Sequence, residues 1–97
     1  MPTKLAAAAI ACIVVAAAAA ASAQPPPGAV SCTGCHPASP RVPSPVPRLA
    51  GMDRAAVVKA MQDFRSGRRA ATVMDRIAKG FTDDEIEAIA AWYAGQR

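Results

Sequence analysis

Two thiols and an imidazole stand within five residues in Cys32-Thr33-Gly34-Cys35-His36. A Cys-x-x-Cys-His run places two sulfur nucleophiles so that both add across the vinyl groups of one porphyrin, and it leaves the adjacent histidine beneath the iron as a ligand. The chemistry implied is covalent attachment of one haem through Cys32 and Cys35, with His36 as proximal ligand. Two other readings of the same residues are weaker. A thioredoxin-like dithiol needs a βαβ setting, and no segment shows strand alternation. A structural zinc site needs four ligands, and the region after residue 23 offers only these three Cys and His side chains.

The iron's other face needs a second ligand, and His36 is the only histidine of the chain. The candidates are therefore methionines. Met61 falls on the apolar stripe of an expected helix and reads as core, while Met52 precedes that helix and packs on it. Met74 lies in the segment connecting two helices, after Thr72 and Val73, with no stripe to join. It is the expected sixth ligand, a soft sulfur that favours Fe(II) and raises the reduction potential. With both axial positions filled, the default activity is electron transfer, and nothing in the sequence resembles a nucleophile–base pair or paired carboxylates. Pro47, eleven residues after His36, is a candidate to accept the proton of the other imidazole nitrogen through its carbonyl. The alternative is a proline that merely ends a stiff loop.

These residues have to be positioned by a short chain. Residues 1–23 carry a basic Lys4, an apolar stretch from Leu5 to Ala21 and a small-x-small end at Ala21-Ser22-Ala23, the layout of an export signal cleaved after Ala23. An uncleaved membrane anchor and a lipid attachment at Cys12 are rival readings. Removing 23 of the 97 residues leaves 74, with ten Lys and Arg against seven Asp and Glu. That excess is too weak to argue for nucleic acid. A chain of that size sits near the lower limit for a self-sufficient core, so a cofactor that takes both remaining cysteines would act as its staple.

The expected architecture is all-α. Three prolines after Gln24 exclude a helix before Ala29, and five prolines between Pro37 and Pro47 predict a stiff, extended loop. Asp53 caps an amphipathic helix to Ser66 with Val57, Ala60, Met61 and Phe64 on one face, and Gly67 ends it. Thr82-Asp83-Asp84-Glu85 is a capping box, with Phe81 and Ile86 as its hydrophobic staple. Ile86, Ile89, Ala90 and Tyr93 form a stripe beside Trp92, and Gly95 stops the run. Arg41, Arg48, Arg68, Arg69, Arg76 and Lys79 flank the motif and the Met74 segment. They either steer an acidic partner or form a solvated surface.

The attachment motif, the Pro-x-Leu loop, the methionine segment and a last helix carrying Trp92-Tyr93 together resemble the small class I cytochrome c family. From Pro43 to Arg97 the chain resembles more specifically the haem subunit of flavocytochrome c sulfide dehydrogenase, above all in Phe64-Arg65-Ser66-Gly67 and Val73-Met74-Asp75-Arg76-Ile77-Ala78-Lys79-Gly80. The resemblance implies a periplasmic complex in which a flavoprotein subunit oxidises sulfide at FAD and passes electrons to the cytochrome, which hands them to a soluble acceptor. It implies haem attachment at Cys32 and Cys35 and axial ligation by His36 and Met74. A freestanding soluble carrier with the same fold is the alternative. Better-known members carry two haem domains, whereas this chain has one attachment motif and resembles only the first of them. Its N-terminal helix is also cut short, which predicts that the Ile86, Ile89, Tyr93 stripe lacks part of its cover and suits a permanent partner.

Overall fold

The computed structural model describes residues 24–97; the export-signal reading and Cys12 lie outside them. Among the described residues there are helices and turns and no strand. In order they are a 3₁₀ turn Val30–Gly34, then α1 (Arg54–Ser66), α2 (Met74–Ala78) and α3 (Asp83–Ala94). α1 packs against both later helices.

Local chemistry sets the helix limits. Asp53 accepts the Ala56 N–H through its carboxylate at 3.0 Å and so starts α1. Gly67 ends it in the left-handed region, φ 81°, with its N–H turned back to Phe64. α3 opens on a complete capping box: the Glu85 N–H donates to Thr82 Oγ1 at 3.2 Å and the Thr82 N–H donates to Glu85 Oε1 at 3.0 Å. These bonds hold the Glu85 carboxyl below its usual range, the backbone donor at Thr82 being the main cause. Ion pairs Arg54–Glu87 and Arg65–Asp83 tie α1 to the start and body of α3. They are exposed or partly so, and contribute less than burial does.

The core is small: of the seven buried residues among those described, four, Ile86, Ile89, Ala90 and Tyr93, belong to α3. The stripe expected to be under-covered is in fact closed. Ile86 and Tyr93 are only 1% and 4% exposed. Part of the cover over Ile89 and Tyr93 comes from the residues just before the motif. Gly28, at φ 87°, sits so close to the Phe81 ring that a Cβ there would lie 2.7 Å from it, and only glycine combines that backbone with that approach. The turn lays Ala29 onto Ile89 and Tyr93, and the Tyr93 hydroxyl donates to the Ala29 carbonyl at 2.5 Å. Leu49, Phe81 and Cys32 pack on the same cluster, and α1 lies against α3.

The proline segment also differs from expectation. It is bent rather than extended, because Ser39 and Ser44 accept the N–H groups of Arg41 and Val46 through their hydroxyls, at 3.2 and 3.0 Å. The Val42 N–H returns to the Ser39 carbonyl. The loop folds back, and its two ends meet beside His36.

Candidate haem site

The 3₁₀ turn carries the motif. His36 and Cys35 both donate their amide N–H to the Cys32 carbonyl, at 2.9 and 3.3 Å, which closes the turn on itself. Cys32 is half-buried against Ala29, Ile89 and Tyr93, while Cys35 is exposed; the two are not bridged. Burial pushes the Cys32 thiol up, only partly offset by a hydrogen bond with Tyr93. That is opposite to the depressed thiol of a redox dithiol. Among the described residues no three His, Cys, Asp or Glu side chains are grouped to hold a metal ion by themselves.

His36 is oriented. Its Nδ1 lies 2.5 Å from the Pro47 carbonyl oxygen. A carbonyl can only accept, so Nδ1 is the donor, and in the neutral imidazole Nε2 is then the nitrogen whose lone pair is open to a ligand. The segment supplying that carbonyl is itself held to α3. The Met52 N–H donates to Leu49 at 3.0 Å, and the Gly51 N–H donates to the Tyr93 carbonyl at 2.9 Å.

Met74 is half-buried and opens α2 instead of lying in irregular chain. Arg76 and Ile77 return their N–H groups to Val73 at 3.0 and 3.1 Å, closing one helical turn, and Gly80 follows it. The turn packs on α1, so the methionine stands on a supported element. The structure therefore brings His36 and Pro47 into contact, sets Cys32 on the core, and carries Met74 on a separate short helix.

The donor set fits a haem. Two unbridged thiols, an imidazole with one nitrogen committed and one available, and a thioether on a fixed turn are the groups that attachment and axial ligation require. The chains around them agree, since Val30, Val73 and Ile77 are large, apolar and exposed, and all lie in the turns that bear Cys32 and Met74. Such exposure in the segments of the donors is a surface that a porphyrin would cover.

No family model matches the chain. Comparison with curated proteins finds three informative relatives. It is 38% identical over 65 residues to the cytochrome subunit of sulfide dehydrogenase of Chlorobaculum tepidum, covering 67% of this chain and 59% of that one. It is 40% identical over 65 residues to the thiosulfate dehydrogenase electron acceptor of Stutzerimonas stutzeri, covering 65% and 30%. It is 30% identical over 70 residues to cytochrome c-554(548) of Halomonas halodenitrificans, covering 68% of this chain and 84% of the relative. The chain belongs to the class I c-type cytochromes. As a member it is an electron carrier with covalently bound haem c, and its relatives are carriers or subunits of dehydrogenase complexes, not catalysts by themselves. The class I cytochrome spans only 59% and 30% of the first two relatives' lengths. One contributor to its site escaped sequence reasoning. Arg48, grouped there with the surface cations, donates from Nε to the Ala38 carbonyl at 3.0 Å.

Proposed function

We propose that residues 24–97 form a single-haem periplasmic cytochrome that relays electrons one at a time, as the haem subunit of a sulfide-oxidising flavocytochrome c. In this reading Cys32 and Cys35 would hold the haem, and His36 Nε2 and the Met74 sulfur would be the ligands of its iron. Bound there, the group supplies a reversible one-electron change. The chain's own part is to keep that change cheap in structural terms. Pro47 holds the imidazole in one tautomer and one orientation, and α2 holds the thioether on a supported turn. The observation that carries the reading is the His36–Pro47 bond, which leaves one nitrogen available next to two unbridged thiols.

The assignment to sulfide oxidation is supported by the likeness to the Chlorobaculum tepidum subunit and by the Met-x-Arg-Ile-Ala-Lys-Gly stretch around Met74. The electron donor is then an FAD-bearing flavoprotein subunit, and the acceptor a soluble cytochrome or similar carrier. A freestanding carrier is the second reading, favoured by the small Halomonas protein, of which this chain covers 84%. Purification of the protein from its native source, with FAD and haem counted per particle, separates the two. One FAD co-purifying with the haem chain is expected. A flavin-free monomer that still carries haem would replace the subunit by the free carrier.

A further inference from the structure

The ends of the proline loop meet without a backbone–backbone hydrogen bond between residues 36–38 and 47–48. Proline at 37 and at 47 removes N–H groups that such a pairing would use. Two side chains span the gap instead, in opposite directions. His36 Nδ1 donates across to the Pro47 carbonyl at 2.5 Å, and Arg48 Nε donates back to the Ala38 carbonyl at 3.0 Å. The Pro47 carbonyl and the Arg48 nitrogen belong to one planar peptide unit. Tethering the Arg48 side chain therefore limits rotation of the very group that aims the Pro47 oxygen at the imidazole.

From this geometry we infer that Arg48 is a positioning residue for the iron-ligating histidine. Its bond to Ala38 holds the Pro47–Arg48 peptide so that the Pro47 oxygen keeps the Nδ1 proton of His36. The inference rests on the proposed haem reading, in which Nε2 is the ligand. A secure Nδ1 hydrogen bond makes the imidazole a stronger donor and favours Fe(III). Losing the tether raises the reduction potential. Losing a positive charge nearby has the opposite sign, because a cation disfavours the more positive iron. The two roles of one guanidinium are thus separable.

The test uses the mature, haem-loaded protein and three variants, Arg48→Met, Arg48→Lys and Arg41→Met. The primary measurement is the rate at which the His36 Nδ1 proton exchanges with solvent in the reduced protein, followed by nuclear magnetic resonance. In Arg48→Met it rises about fivefold or more, the scale of one net hydrogen bond. In Arg48→Lys exchange also rises, since an ammonium lacks the planar fork, and the potential rises because charge is kept. Arg41→Met removes a charge from the same loop and leaves exchange at the parent rate. Unchanged exchange in Arg48→Met, or an equal rise in Arg41→Met, overturns the inference. If Arg48→Met does not mature, Arg48→Lys decides it by the same two measurements, and parent values for both overturn it. Haem-shifted His36 ring resonances in the parent show that ligation holds; their absence would defeat the haem reading itself and not the role of Arg48.

Discussion

The face built on α3 and the face built on the motif are held by different forces. On α3, Ile86, Ile89, Ala90 and Tyr93 are buried, the helix start is doubly capped, and Ala29 is latched to Tyr93. In the segments that carry the thiols, the imidazole and the thioether, the loop ends are joined by two side-chain bonds, and Val30, Val73 and Ile77 are exposed. The first face is dry and closed by its own chain. The second carries its donors on short turns, with exposed apolar side chains beside Cys32 and Met74 in the sequence. A 3₁₀ turn of five residues and a helix of five are too short to be stable in isolation. One face supplies stability and the other supplies chemistry.

The comparison breaks most visibly if the thiols are removed. Cys32→Ala with Cys35→Ala is expected to abolish covalent haem altogether and to cost the amides of residues 30–48 and 73–80 their protection from hydrogen exchange before those of α3. Equal protection on both faces would mean that the motif face does not depend on its cofactor. Next in size is Met74→Ala, which should lower the reduction potential and let carbon monoxide bind the reduced protein at neutral pH. A variant with the parent's spectrum and potential would remove Met74 from the ligand set. Ile86→Ala probes the other face, with an expected loss of about 2–5 kcal/mol in chemical denaturation and an unshifted potential. A shifted potential there would show that the two faces are coupled.

The smallest effect sharpens the latch. Tyr93→Phe leaves the Ala29 carbonyl without its donor, a loss of about 1–3 kcal/mol. The same substitution changes the alkaline limit. Burial is the main reason that the Tyr93 phenol is pushed from about 10 up to about 12. The folded state holds the phenolic proton more tightly than the unfolded chain does. Its contribution is therefore complete below about pH 10 and is lost as pH rises from about 10 towards about 12. Urea titrations across that window should show a steeper loss for the parent than for Tyr93→Phe. Parallel slopes would exclude Tyr93 as the titrating group.

What could be read from the residues alone follows the same division. Asp53, Gly67 and the Thr82–Glu85 box act on amides three residues away or nearer, so both long helices were legible. The motif was legible because its thiols and imidazole are neighbours in the chain. α2 was not, because one helical turn has no periodicity to detect. The bends of the proline loop depend on hydroxyl groups of Ser39 and Ser44 that compete with extension only once the backbone has turned. The closure of the α3 stripe depends on Gly28 meeting Phe81, a contact between residues far apart in sequence. Arg48 left no trace because its acceptor, a backbone carbonyl, exists at every position. Burial of the stripe also removes the apolar patch that argued for a permanent partner.

The central claim is that Cys32 and Cys35 both bond one haem. It is tested most directly by the intact mass of the matured protein after unfolding and acid–solvent extraction, conditions that strip any haem held only through its iron. The account predicts the polypeptide plus one haem, surviving in the parent and absent when both cysteines are replaced. A parent chain that emerges at the mass of the bare polypeptide would contradict it.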